Sequence, residues 1–206
     1  MTAYVSSLLM IAGLYLIAVA SPGPNFFVIG QLSLSGQRQA ALAAACGISL
    51  GSVIWVLLAM AGVAALLASA EWLHLALRIT GAAYLIWLGA KMLHAAARPK
   101  AQIAYDVAAL EPMRAFRKGV LTSLTNPKSG VFWTSAFATT FPLNAPTWMF
   151  AATALMIAAL SLGWHVGLAV AFTNKGVQGR YRRLRRAIDA ACGVVLVGFG
   201  VLLAKR

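Results

Sequence analysis

Six long apolar stretches separated by short polar gaps organise the chain. The first runs from about Tyr4 to Leu34 and is interrupted at Ser21-Pro22-Gly23-Pro24; the second runs from about Gln39 to Ala68 and the third from Trp72 to about Leu93. The fourth starts near Phe116, is interrupted at Asn126-Pro127-Lys128 and ends near Phe141-Pro142. The fifth covers about Pro146 to Asn174, a basic hinge follows, and the sixth covers about Ala187 to Ala204. Each is close to the ~20 apolar residues a helix needs to cross hydrocarbon. The pattern predicts an all-α membrane protein of six transmembrane helices, with helices 1 and 4 broken at their proline motifs. The longest polar interval, with Arg98, Pro99, Lys100, Asp106, Glu111 and Pro112, separates two halves. A single membrane transport domain over 1–206 is expected, with a first three-helix repeat at 1–95, a cytoplasmic connecting loop at 96–113 and a second repeat at 114–206.

Composition agrees. Hydrophobic residues make up 61% of the 206 and charged residues 10%, with a mean hydropathy of +0.82. So few charges cannot cover that much apolar surface in water, so lipid must solvate part of it. A net charge of +13 could suggest nucleic acid. The distribution excludes that reading, because Lys and Arg crowd the gaps after stretches one, three and five and are missing from the gaps after two and four. Positive loops stay in the cytoplasm, so both termini are expected in the periplasm of a multi-pass protein of a bacterial inner membrane. Trp72 and Trp148 fall where an outer aromatic belt belongs, and the run Gly179–Arg186 suits anionic headgroups. Ala18-Val19-Ala20 mimics a signal-peptidase site, but no Lys or Arg precedes the run and apolar sequence resumes at Phe26, so it is read as a span.

The halves resemble each other. A shift of 105 residues places Pro22 on Pro127 and Phe27 on Phe132, and a slightly larger one pairs Arg78–Ala83 with Arg186–Ala191. Three spans per half would make the second repeat inverted. The breaks then occupy corresponding positions, a sequence pointer to a transport site near the midplane. Proline within a span removes a backbone donor, and the freed carbonyls survive only beside protein or a wet cavity. Ser21-Pro22 and Asn126-Pro127 each read as a capping residue followed by proline at the first helical position. Both half-helices would restart with bare amides and positive dipole ends, and with Lys128 they suit a carboxylate. The alternative is that the prolines only kink packed helices.

Three polar residues within spans are weighed in the same way. Lys128 lies some ~18 Å into its stretch at helical rise; it is either a substrate cation or the internal partner of freed carbonyls or Asp189. Asp189 could hold a substrate ammonium or carry a coupling proton, or could simply pair with Arg185 or Arg186. His165 could relay protons, though hydrogen bonding between helices is the plainer role. Gly47-Ile48-Ser49-Leu50-Gly51 matches a hydrolase pattern but lies within an unbroken apolar helix, where small-residue packing explains it better. Cys46 and Cys192 lack the spacing of a disulfide framework or zinc site and read as buried small hydrophobes. No metal site and no cofactor is expected.

Ser21-Pro22-Gly23-Pro24-Asn25-Phe26 resembles the (S/T)-P-G-P signature of the LysE/RhtB family of amino acid exporters. Phe116, Gly119, Asn126-Pro127-Lys128 and Phe132 resemble its F-x-x-G…N-P-K signature. Gly81, Tyr84-Leu85, Leu88-Gly89 and Lys91 are similar to its third helix. Ile188-Asp189 and Gly193 are similar to its last helix, which has Asn where Asp189 stands. The resemblance covers essentially the whole chain. It implies efflux of amino acids or related small zwitterionic metabolites, driven by an ion gradient, and no enzyme activity. The substrate-binding set expected is Pro22, Gly23, Pro24, Asn25, Asn126, Pro127 and Lys128, with Asp189 and His165 as coupling or ammonium-binding residues. The partners are a small amino acid-like substrate and the bilayer, with a homo-oligomer compatible and nucleic acid excluded. A metal-ion exporter and a membrane redox conduit on a related duplicated bundle are the alternatives.

Overall fold

Helix follows the apolar sequence until proline, or a glycine in the left-handed region, stops it. The computed structural model describes residues 2–21, 23–67, 71–97, 108–142 and 145–204. They form α1 (Thr2–Ala20), α2 (Pro24–Leu34), α3 (Arg38–Leu67), α4 (Glu71–Ala97), α5 (Pro112–Leu124), α6 (Pro127–Thr140), α7 (Thr147–Ala171) and α8 (Lys175–Ala204). Among the described residues there is no strand. Prolines open α2, α5 and α6, where the missing N–H costs nothing and the fixed φ favours helix. Gly36, at φ 76°, ends α2; around it Ser35 N–H donates to Gln31 O and Gln37 N–H to Leu32 O, both at 3.0 Å. Gln37 then ties this turn to the start of the second half, accepting from Leu110 N–H at 2.9 Å and donating to Ala108 O at 3.3 Å.

By length and composition, Arg38–Gly62 and Thr147–Ala171 are each sufficient to cross a membrane, and Tyr4–Ala20 with Pro24–Leu34 is so as a pair bent by 54°. The basic segment before the sixth stretch departs from expectation. It is not a hinge: the turn is confined to residues 172–174, and the basic run forms the first turns of α8. Arg, Lys, Gln and Leu are good helix formers, and the Asn174 side chain caps the new end by accepting from Gly176 N–H at 2.8 Å. Arg180, Arg183 and Arg186 are exposed along it.

Small residues set how closely the helices pack. A methyl group added to Gly47 would meet the Phe116 carbonyl, and one on Gly119 the Ala44 carbonyl, so α3 and α5 touch backbone to backbone. The Gly47/Gly51 pair is thus a packing seam, as its spacing suggests. Gly89 and Gly193 do the same for α4 and α8, each within 2.8 Å of the other's carbonyl by that measure. Outward faces carry apolar side chains such as Leu9, Leu155 and Val194, a surface made for lipid rather than water.

Two apolar cores stack along the bundle. One joins α2, the first half of α3, α5 and the end of α7 through Val28, Ile29, Leu32, Ala44, Ile48, Ala115 and Ala169. The other joins α1, the second half of α3, α4, α6, α8 and the start of α7 through Leu14, Tyr15, Val56, Leu85, Trp133, Phe137, Ile157 and Leu196. Buried polar residues separate them midway along α3 and α7: Ser49 and Ser52 on one helix, Ser161 and His165 on the other. Both helix interruptions, 21–23 and 125–126, bring further buried polar groups, Ser21 and Asn126.

Candidate functional site

At α1's carboxyl end, the last carbonyls have no helical donor of their own, as at any helix terminus. Lys128, the second residue of α6, supplies one. Its Nζ donates to Ala18 O at 3.0 Å and to Ser21 O at 3.4 Å. The internal-partner reading of Lys128 is therefore correct as to freed carbonyls, and the ammonium sits at the electronegative end of a helix rather than between two electropositive ends. The Lys128 stem passes Gly23, whose missing side chain leaves Lys128 Cδ and Nζ about 4 Å from where a Cβ would be.

The helix starts differ from one another. Asn126 caps α6 as expected, its Oδ1 accepting from Lys128 N–H at 3.0 Å; its carbonyl also accepts from Ser129 N–H at 2.9 Å. The amides there are consequently not bare. Ser21 is not the cap of α2. That position falls to Gly23, in extended conformation with no side-chain cap, because Pro24 rather than Pro22 takes the first helical position. Pro22 lies outside the described residues.

Between the breaks lies a cavity of about 50 Å³. Of the expected residues, Gly23, Asn25, Asn126, Lys128 and His165 line it, from α2, α6, α7 and the turns between helices. Pro24 and Pro127 open α2 and α6, and Pro24 is not among the lining residues. Asp189 is buried on α8 and is not among the lining residues. Among the described residues His165 is bonded within its own helix and not between helices: its Nδ1 lies 2.8 Å from Ser161 O and 3.2 Å from Ser161 Oγ one turn back, and donation to that carbonyl leaves Nε2 as the unprotonated nitrogen.

Several lining residues carried no obvious sequence signal. Tyr15 stacks on Trp133 with ring centroids 5.2 Å apart, and its hydroxyl faces Ser52 and Ser161 without completing a hydrogen bond. Asn25 Oδ1 and Trp164 Nε1 are likewise buried and without a partner. Three of the buried unpartnered polar atoms among the described residues thus belong to residues of one small cavity, whose apolar wall includes Phe26, Phe132, Trp133 and Leu168. Buried polar atoms are normally paired, so their clustering makes this cavity the candidate site for a polar guest. The signal in the sequence was there but diffuse: a hydroxyl-bearing aromatic in α1, Ser52 in α3 and Ser161 one turn before His165.

No solved structure is a significant match. The chain is 32% identical to the threonine efflux protein of Escherichia coli (strain K12), over 95% of this chain and 96% of that protein. It is 31% identical to the leucine efflux protein of Salmonella choleraesuis (strain SC-B67), over 95% of this chain and 92% of that one. The LysE type translocator family matches residues 16–206, and the chain accordingly belongs to that family, as a membrane transporter and not an enzyme.

Proposed function

We propose that this protein is a secondary-active exporter of amino acids or related small zwitterions across the bacterial inner membrane. What supports the reading is the meeting of Gly23, Asn25, Asn126, Lys128 and His165 on one cavity between two helix interruptions. The relatives' names add threonine and leucine as first candidates. In this reading α1 with α2 and α5 with α6 are two broken spans, and the six spans form two inverted repeats. The helices such a duplication would relate, α3 with α7 and α4 with α8, pack directly against each other. The Lys and Arg distribution supports a periplasmic side for both termini.

Lys128 would hold the carboxylate, helped by the Asn126 and Asn25 side chains and by the amino end of α2. About 50 Å³ is enough for ordered water and short of what an amino acid fills. Transport therefore requires the bundle to open at the breaks, alternately to each side. His165 Nε2, in the cavity wall, is the group we assign to ion coupling; Asp189, off the cavity, receives no substrate contact. The redox-conduit alternative needs two thiols together, and Cys46 and Cys192 are free cysteines on α3 and α8. The test is efflux from cells preloaded with threonine or leucine. Export at a rate no faster than from cells carrying Lys128→Ala would end this reading.

A further inference from the structure

We infer that the carboxyl end of α1 is the ammonium subsite of this cavity, and that substrate gains it by exchanging places with Lys128. The inference rests on the exporter reading and deepens it. Two carbonyls, Ala18 O and Ser21 O, converge on one ammonium group, that of Lys128. They cap the negative end of a helix dipole, which favours a cation there. Two further oxygens in the same wall have no partner: Asn25 Oδ1, which can only accept, and the hydroxyl of Tyr15, a residue only 4% exposed. An ammonium has three protons to place, and this surface offers more than three acceptors.

A free amino acid carries both charges needed for the exchange. Its carboxylate draws Lys128 away from α1, and its ammonium takes the carbonyls that Lys128 leaves, so neither the lysine nor those carbonyls end up unpaired. A carboxylic acid without the ammonium would strip Lys128 from α1 and orphan the carbonyls. An amine without the carboxylate could not displace Lys128 at all. Because Lys128 bridges α6 to the end of α1, the exchange also releases one tie between the two broken segments, linking recognition to opening. No acidic residue is among the described residues lining the cavity, while Phe26, Phe132, Trp133 and Leu168 are. The site therefore has a place for one positive charge, the α-ammonium, and prefers a neutral side chain over that of lysine.

The test uses wild-type protein reconstituted in liposomes. These are preloaded with threonine, leucine, lysine, and the N-acetyl and amide derivatives of threonine and leucine, and outflow is corrected for protein-free liposomes. Free threonine or leucine should leave at least about tenfold faster than either of its derivatives, since each missing group costs a charge-assisted hydrogen bond, and than lysine, whose second positive charge meets no acidic residue among the described lining. N-acetyl derivatives leaving as fast as the free amino acids would overturn the ammonium subsite while leaving the exporter reading intact. Outflow of nothing above protein-free liposomes would overturn both. A second measurement does not depend on transport. In Lys128→Met the carbonyls lose their ammonium, so threoninamide should raise the melting temperature of the purified variant more than N-acetylthreonine does; equal shifts would contradict the subsite.

Discussion

The two helix interruptions look alike in sequence and are closed in opposite ways. At the second, the chain supplies its own cap, Asn126 Oδ1 on Lys128 N–H, and the carbonyl of Ser123 is held by Trp55 Nε1 at 3.0 Å from the neighbouring α3. The Trp55 ring also lies where a Cβ on Gly130 would be, wedging α6 in place. At the first, Gly23 offers no side chain, the cap position is unfilled, and the freed carbonyls depend on Lys128 reaching across from α6. One break carries its own cap, and at the other a flexible cation from α6 holds the freed carbonyls, beside the Tyr15–Trp133 stack that also joins α1 to α6. The site is thus asymmetric: Tyr15, Asn25 and Trp164, each with a buried unpartnered polar atom, line the cavity beside the break that Lys128 closes.

The largest expected effect follows from removing that lysine. Lys128→Ala should lower efflux about 100-fold or more, because both the carboxylate contact and the link to α1 go with it. Orphaning Ala18 O and Ser21 O should also cost about 1–3 kcal/mol of stability, read as a lower melting temperature in detergent. Next comes Asn126→Asp, which separates the cap from the site. An aspartate caps as well as asparagine, so stability should change by less than about 0.5 kcal/mol; its carboxylate beside Lys128 competes with substrate, and efflux should fall about tenfold.

Trp55→Phe attacks the self-capped break alone. Loss of the Ser123 bond should cost about 1–3 kcal/mol in thermal denaturation, with efflux per folded molecule reduced no more than about threefold. If efflux instead falls as far as with Lys128→Ala, the two breaks are not functionally distinct. The smallest effect is expected from Gly23→Ala. The added Cβ would stand at ordinary contact distance from Lys128, and the extended backbone there suits alanine. A cost of about 0.5–1 kcal/mol at the cap and a few-fold change in efflux should result.

Much of this architecture is legible in the chain because the physics of a bilayer is blunt. Apolar runs must be helical, since lipid offers no partner for the backbone, and the second and fifth stretches fall on α3 and α7 nearly end to end. Lys128, Asn126 and Gly23 could be singled out because a charge, a cap and a glycine beside proline are rare within such runs. What could not be read was direction. Nothing in the order Ser21-Pro22-Gly23-Pro24 says which proline opens the helix, and so Ser21 was expected at a cap that Gly23 occupies. Nor does a sequence say that Lys128 would turn toward the end of α1 instead of into open space. Tyr15, Ser52 and Trp164 matter only because three helices bring them to one level. Asp189 stands out by its charge and by its departure from the family's Asn; it is buried on α8 and is not among the residues lining the cavity. The basic run before Ala187 separates two apolar stretches and so reads as a hinge, but its residues are good helix formers and α8 runs through it.

The central claim, that substrate carboxylate meets Lys128 between the two breaks, can be measured as a distance. Protein labelled with ¹⁵N at lysine and reconstituted in lipid, with threonine or leucine labelled at the carboxyl carbon, allows solid-state NMR to detect any lysine Nζ within hydrogen-bonding reach of that carbon. The account predicts one cross-peak, lost in Lys128→Arg. Bound amino acid that gives no cross-peak, or a cross-peak that survives the substitution, would contradict it.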